Sequence, residues 1–159
     1  MNMFIDSSIF LKLLLDESSA IDAQRILESI EADSVLGFLT PLVLEEVVFK
    51  LIYATASSKL NTSNVWKIRG ALKSDKALRK ECTRVVEKFN EYVEYLASKG
   101  LRIESVHYSD WLNSLEYIGK YGLLPADAIH VAVARRLKVD IIASFDEDFK
   151  AIEELKVIP

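Results

Sequence analysis

Four carboxylates stand out because each sits against or inside an apolar stretch. Asp6 ends the run Met3-Phe4-Ile5, Glu46 lies within the apolar segment 41–53, Asp127 opens the segment 126–137, and Asp146 follows Asp140-Ile141-Ile142-Ala143. A buried, unpaired carboxylate is strongly disfavoured, and several close together repel one another. A divalent cation compensates all of them at once, so the pattern predicts a magnesium or manganese centre with oxygen ligands drawn from separate elements. Such an ion can orient and activate a water and offset charge developing on a phosphodiester. Metal-assisted hydrolysis is the chemistry expected.

Each acid also has an ordinary explanation. Asp6 suits a helix-entry cap, Asp127 complements a helix macrodipole, Asp146 and Asp148 suit a turn, and Glu46 can pair with Lys50 at i,i+4. Glu45 could equally be the inward-facing acid. It is their joint occurrence that favours a shared ion. His130 stands three residues after Asp127 on the same helical side, and one His without a second is a weak metal signal, so packing or a hydrogen bond is expected of it. Cys82 reads as a small core residue, and Trp66 and Trp111 as core or interface packing rather than base stacking.

The elements that must bring these acids together are legible from periodicity. Residues 3–5 read as a buried strand, with Ser7 or Ser8 capping a helix to about residue 15. Ser18 or Ser19 caps a second helix, and residues 35–39 form the next strand. Thr40-Pro41 is a strong helix start, and that helix runs toward residue 56, apolar nearly all round. Segment 62–99 is helical, with Leu78, Cys82, Val85, Val86, Phe89, Val93 and Leu96 as its buried stripe and Gly100 as its C′ residue. A strand at 102–106, a helix capped by Ser109 and ending near Gly122, a helix opened by Pro125, a strand at 140–143, a loop at 144–148 and a last strand near Val157 follow. This alternation predicts a three-layer α/β/α fold with a mainly parallel central sheet. In such sheets the crevice lies beyond the carboxyl ends of the strands, where Asp6 and Asp146 fall.

The chain has 159 residues, half of them hydrophobic, with 5 Gly, 3 Pro and no linker-like tract, so one domain over 1–159 is expected, with 58–100 a helical, basic insertion within it. The lone cysteine excludes a disulfide framework and suits a reducing, cytoplasmic setting. Asp6, Lys12 and Asp16 break the N-terminal apolar stretch, so no signal peptide or membrane span is expected there. Net charge is −4, yet residues 59–88 hold nine Lys/Arg against three acids. A basic segment beside an acidic body suits a polyanion held near a cation-loaded site; Lys76, Lys80, Arg84 and Lys88 form an i,i+4 stripe whose ordinary reading is a solvated face and whose alternative is contact with RNA.

In four places the residues resemble a known family. Phe4-Ile5-Asp6-Ser7-Ser8, Leu44-Glu45-Glu46-Val47, Leu124-Pro125-Ala126-Asp127-Ala128-Ile129-His130-Val131-Ala132 and Ser144-Phe145-Asp146-Glu147-Asp148-Phe149 are similar, in that order, to the motifs of PIN-domain ribonucleases, and most similar to the VapC-type toxins of toxin-antitoxin pairs. The likeness covers most of the chain apart from its basic helical middle, which is longer than in compact members. It implies that Asp6, Glu46, Asp127 and Asp146 hold magnesium or manganese, that Ser144 supports the site beside Ser8, and that Asp148 is an additional acid at the rim. It further implies endonucleolytic cleavage of RNA by metal-activated water, a cognate antitoxin as partner, and a homodimer. Other readings are weaker. A phosphohydrolase with an aspartyl nucleophile would want a second acid where Ser8 stands, and a receiver domain would want a Lys after a late strand. A non-catalytic RNA- or protein-binding adaptor on the same fold is the remaining alternative.

Overall fold

A computed structural model describes residues 1–15 and 18–159. Five strands form one sheet: β1 (Asn2–Ile5), β2 (Leu36–Leu39), β3 (Leu101–Ile103), β4 (Ile141–Ala143) and β5 (Lys156–Ile158). Their order is β3-β2-β1-β4-β5, and every neighbouring pair is parallel. Successive side chains of a strand face opposite sides, and Met3, Phe4 and Ile5 are all buried, so helices cover both faces of β1. The expected three-layer α/β/α architecture is the one observed.

Among the described residues seven helices connect the strands: α1 (Ser7–Leu14), α2 (Ala20–Glu31), α3 (Pro41–Leu60), α4 (Val65–Ser74), α5 (Lys76–Ala97), α6 (Tyr108–Tyr121) and α7 (Pro125–Arg136). A 3-10 turn, Glu147–Ala151, begins at the end of the segment 144–148 expected as a loop and runs beyond it. Chain order and spatial order diverge at β1, which has β2 on one side and β4 on the other. That is a topological switch point, where two connections leave the sheet in opposite directions and open a crevice at the carboxyl edge. Asp6 N donates to Ala143 O at 3.0 Å and Ser144 N to Ile158 O at 3.0 Å, which ties the ends of β1, β4 and β5 together at that edge.

Most of the helix ends follow the sequence, and the exceptions have physical causes. Asp6, not Ser7 or Ser8, caps α1, accepting from Ser8 N at 3.2 Å. Ser19 is the N-cap of α2 but sits at φ 75° and makes no side-chain cap bond. Thr40 precedes α3 with Pro41 in its first turn, as expected, although the Thr40 hydroxyl is buried without a partner. His107, not Ser109, caps α6, because Asp110 three residues on completes a capping box by accepting from His107 N at 2.8 Å. Gly122 ends α6 at φ 70°. Gly100 is not a left-handed cap: α5 ends at Ala97, and a Cβ at Gly100 would lie 2.6 Å from Val35 O, so close backbone approach is what requires glycine there.

The core has two parts. The main cluster packs β1 and its neighbours against α1, α2, α5 and α7 through Phe4, Phe10, Leu27, Leu39, Phe89 and Val131. Phe10 and Phe89 meet edge-on, with centroids 5.6 Å apart, and lock α1 against α5. The predicted α5 stripe divides between two clusters: Phe89, Val93 and Leu96 join the main core, whereas Leu78 and Cys82 join Ala56 and Ile68 in a second, smaller one beneath α4. Cys82 is thus a core residue, as expected. Among the described residues no helix is long and apolar enough to cross a membrane.

Candidate metal centre

Asp6 leaves β1 at the switch point and is 4% exposed. Two hydroxyls fix its carboxylate: Ser8 Oγ donates to Asp6 Oδ2 at 2.6 Å and Ser144 Oγ to the same oxygen at 2.7 Å. Each serine oxygen in turn accepts a backbone proton, Ser8 Oγ from Phe145 N at 3.0 Å and Ser144 Oγ from Asp146 N at 3.0 Å. The pair therefore couples Asp6 to the turn that carries Asp146. Among the described residues every side-chain hydrogen bond to Asp6 falls on Oδ2, which leaves Oδ1 for another electrophile.

Asp127 arrives from a different element. A helix that leads into a parallel strand begins at the carboxyl edge of the sheet, and α7 leads into β4, so its first turn, with Pro125 and Asp127, is delivered to the crevice. Ligand atoms of Asp6, Asp127 and His130 lie within 4.8 Å of one another. Burial first, and then the negative charges of Asp6, Asp146, Glu46 and Asp148, push the Asp127 carboxyl up to about 7. Glu46, Asp146 and Asp148 are not among the ligand atoms gathered within 4.8 Å, but they act with Asp6 on Asp127 as like charges.

The remaining acids rim the crevice. Glu46 lies in the second turn of α3, half-buried, with Lys50 Nζ 3.4 Å from Oε1. Glu45 is exposed, so the inward acid is Glu46. Asp146 is exposed and caps the 3-10 turn, accepting from Asp148 N at 2.9 Å; Asp148 is exposed as well. A cleft of about 440 Å³ opens beside them, lined by Ser8, Lys12, Lys50, Phe145 and Asp146 among others. The ordinary roles weighed for these acids are thus also present, since Asp6 caps α1, Asp127 lies in a first turn, Asp146 caps a turn and Glu46 has its lysine. One side chain can serve as both cap and ligand, because capping occupies one carboxylate oxygen.

The residues fit a hard divalent cation. Oxygen donors come from three or more separate elements, two of them converge within 4.8 Å, and like charges from the other acids act on Asp127. His130 is the residue whose surroundings were least legible. It is fully buried, packs on Phe4 with ring centroids 5.4 Å apart, and neither ring nitrogen has a hydrogen-bond partner. Packing was expected, but the alternative of a hydrogen bond is not what is found; the i,i+3 spacing from Asp127 was the available signal.

The basic stripe is elsewhere. Lys76, Lys80, Arg84 and Lys88 are all exposed on α5, which packs with α4 against α3. Trp66 on α4 is 75% exposed, with Arg69 5.9 Å from its ring centroid, so of the two packing roles expected it does not take the one in the core. Glu46 and Leu60 are fourteen residues apart on α3, which places the α4 junction on the order of 20 Å from the acids at 1.5 Å per residue.

Comparison with known proteins agrees with the geometry. The PIN domain family profile matches residues 3–155. Ribonuclease VapC2 of Methanocaldococcus jannaschii is 31% identical over 157 residues, covering 98% of this chain and 92% of that protein. The crystal structure of Mycobacterium tuberculosis VapC20, described as a sarcin-ricin loop cleaving toxin, is similar with a TM-score of 0.64 at 18% identity over 99% of both chains. VapBC2 from Rickettsia felis, solved bound to a promoter DNA fragment, is similar with a TM-score of 0.58 at 14% identity, covering 99% of this chain and 98% of that one. With its switch-point crevice, its converging acids and a match over nearly its whole length, the chain belongs to the PIN-domain family.

Proposed function

We propose that this chain is a metal-dependent endoribonuclease and the toxin of a VapBC-type toxin-antitoxin pair. The observation that carries the reading is the Asp127 carboxyl, pushed to about 7 by burial and four neighbouring acids at the carboxyl edge of the sheet. Carboxylates drawn this close from separate elements repel one another, a cost to the fold that a bound cation would offset. Asp6, Glu46, Asp127 and Asp146 would hold magnesium or manganese, with Asp148 at the rim. When bound, the ion supplies an activated water and compensation for charge developing on the phosphodiester.

The protein's own residues have separate duties. Ser8 and Ser144 hold Asp6 in a single orientation and tie it to the turn bearing Asp146. Lys50, 3.4 Å from Glu46, pairs with that acid and places a cation in the cleft where a phosphate would lie. Lys76, Lys80, Arg84 and Lys88, with exposed Trp66 nearby in sequence and fold, would engage RNA beyond the scissile bond. An antitoxin is the expected protein partner and a homodimer the expected assembly, both by likeness to VapC relatives.

The test is cleavage of a mixed RNA panel by the purified chain, stripped of any bound partner, with and without magnesium or manganese. Cleavage should require metal and fall by at least about 100-fold in Asp6→Asn and in Asp127→Asn, since a catalytic ion contributes several kcal/mol. Cleavage that persists in chelator, or in both folded variants, would overturn the reading.

A further inference from the structure

His130 has no assigned part in the acidic site, yet its surroundings are not those of an ordinary packing residue. Its imidazole is 0% exposed, and both Nδ1 and Nε2 are buried without a hydrogen-bond partner. Leaving a buried polar group unpaired costs about 1–3 kcal/mol, and an aliphatic or aromatic side chain would fill the same space without that cost. Packing against Phe4 at 5.4 Å explains where the ring sits but not why it is a histidine. One turn separates it from Asp127 on α7, so both side chains project from the same helical face, and a ring nitrogen lies within 4.8 Å of carboxylate oxygens of Asp127 and Asp6.

We propose that His130 is a direct nitrogen ligand of the ion held by Asp6 and Asp127, and that this nitrogen makes the centre select manganese-like transition ions over magnesium. The inference rests on the metal-site reading above. It is reached from two independent observations, the convergence of three ligand atoms and the buried imidazole with nothing to bond.

The distances permit it. An ion equidistant from three atoms 4.8 Å apart would lie about 2.8 Å from each, so closing to ordinary bond lengths near 2.2 Å asks each donor to move inward by roughly 0.6 Å. Asp127 is part-exposed in a first helical turn and can make that adjustment by side-chain rotation. Asp6 keeps Oδ2 on its two serines and offers Oδ1. Ligation gives one imidazole nitrogen the partner it otherwise lacks, and the Phe4 ring holds the plane of the imidazole in place of a second hydrogen bond.

The chemical consequence is selectivity. Magnesium prefers oxygen ligands and a shell rich in water, whereas imidazole favours the later divalent ions, in the order that rises from manganese. Magnesium would have to accept a nitrogen or leave the buried side of the site unfilled. Manganese accepts it.

The experiment is pulsed electron paramagnetic resonance of the full chain loaded with manganese alone, with no RNA and no turnover. The chain has only two histidines, so a nitrogen coupling from imidazole can be assigned by ¹⁵N-histidine labelling. The bound manganese should show that coupling, should keep it in His107→Ala, and should lose it in His130→Gln. Competition should show manganese displacing magnesium in the wild type, with the manganese affinity falling about 10–100-fold or more in His130→Gln. Bound manganese with no histidine coupling in the wild type would overturn the role of His130 while leaving an all-oxygen centre intact. Absence of any stoichiometric manganese binding would overturn both readings together. Because the decisive measurement is made on the wild type, a His130 variant that fails to fold does not remove the test.

Discussion

Asp127→Asn should make the metal-free protein more stable near neutral pH, by an amount that vanishes in acid. Burial and the charges of Asp6, Asp146, Glu46 and Asp148 raise the Asp127 carboxyl from 3.8 to about 7 in the folded chain. Between those values the folded protein keeps a proton that the unfolded chain has released, so stability is full below about pH 4 and declines as pH rises toward 7. A shift of about three units corresponds to roughly 4 kcal/mol if fully expressed. Asp127 is only part-buried, so solvent screening reduces this to about 2 kcal/mol. Asparagine carries no charge to repel, and its stability should lack that component of the pH slope. The assay is urea unfolding of the metal-free protein across pH 3 to 8, comparing midpoints of wild type and variant at equal slope. The variant should gain up to about 2 kcal/mol on the wild type by pH 7.5 and converge with it at the acid end. A difference that is independent of pH, or a variant that loses ground as pH rises, would refute the repulsion and with it the crowding of the acids.

Millimolar manganese should raise the melting temperature at pH 7.5, by about 3 °C if the ion is at ten times its dissociation constant, and Asp6→Asn should abolish the rise. Asp110 is fully buried and accepts from Arg136 Nε at 2.9 Å and from His107 N; burial pushes its carboxyl up, but the Arg136 bond and charge together with the His107 N bond outweigh it and hold the carboxyl below the usual range. Asp110→Ala should therefore cost about 2–4 kcal/mol by urea unfolding, since it strands Arg136 and removes the α6 cap. Gly100→Ala should cost about 1–3 kcal/mol, because its Cβ would press against Val35 O, a backbone atom that cannot rotate away. Both variants should keep metal affinity within about twofold if their effects are confined to the fold.

Much of this arrangement is written in local sequence. Buried strands 4 residues long, the Thr40-Pro41 start of α3 and the apolar stripe of α5 are all readable, because periodicity and caps act over a few residues. So are the acids, whose positions at strand ends and a helix start follow from the alternation of β and α. What escaped the sequence depends on partners far along the chain or on rival side chains nearby. At α1 the sequence offered both Asp6 and the serines after it, and the choice fell to Asp6 because its carboxylate takes the Ser8 amide, whereas His107 displaced Ser109 because Asp110 could close the capping box. Gly100 is needed by Val35, sixty-five residues earlier, which no local rule reports. The division of the α5 stripe between two cores depends on where α4 folds back, and the exposure of Trp66 depends on the same turn. His130 shows the limit most clearly: its spacing from Asp127 was visible, but its lack of any hydrogen-bond partner is a property of the packed interior.

The central claim is that acids from separate elements share an ion, and anomalous diffraction from crystals soaked in manganese tests it most directly. A single strong peak, or a close pair, within about 2.3 Å of carboxylate oxygens of both Asp6 and Asp127 is the expected result, with Glu46 and Asp146 reached directly or through water. Manganese found only on other surface acids, with the Asp6 and Asp127 oxygens still unbridged at saturating concentration, would contradict the account.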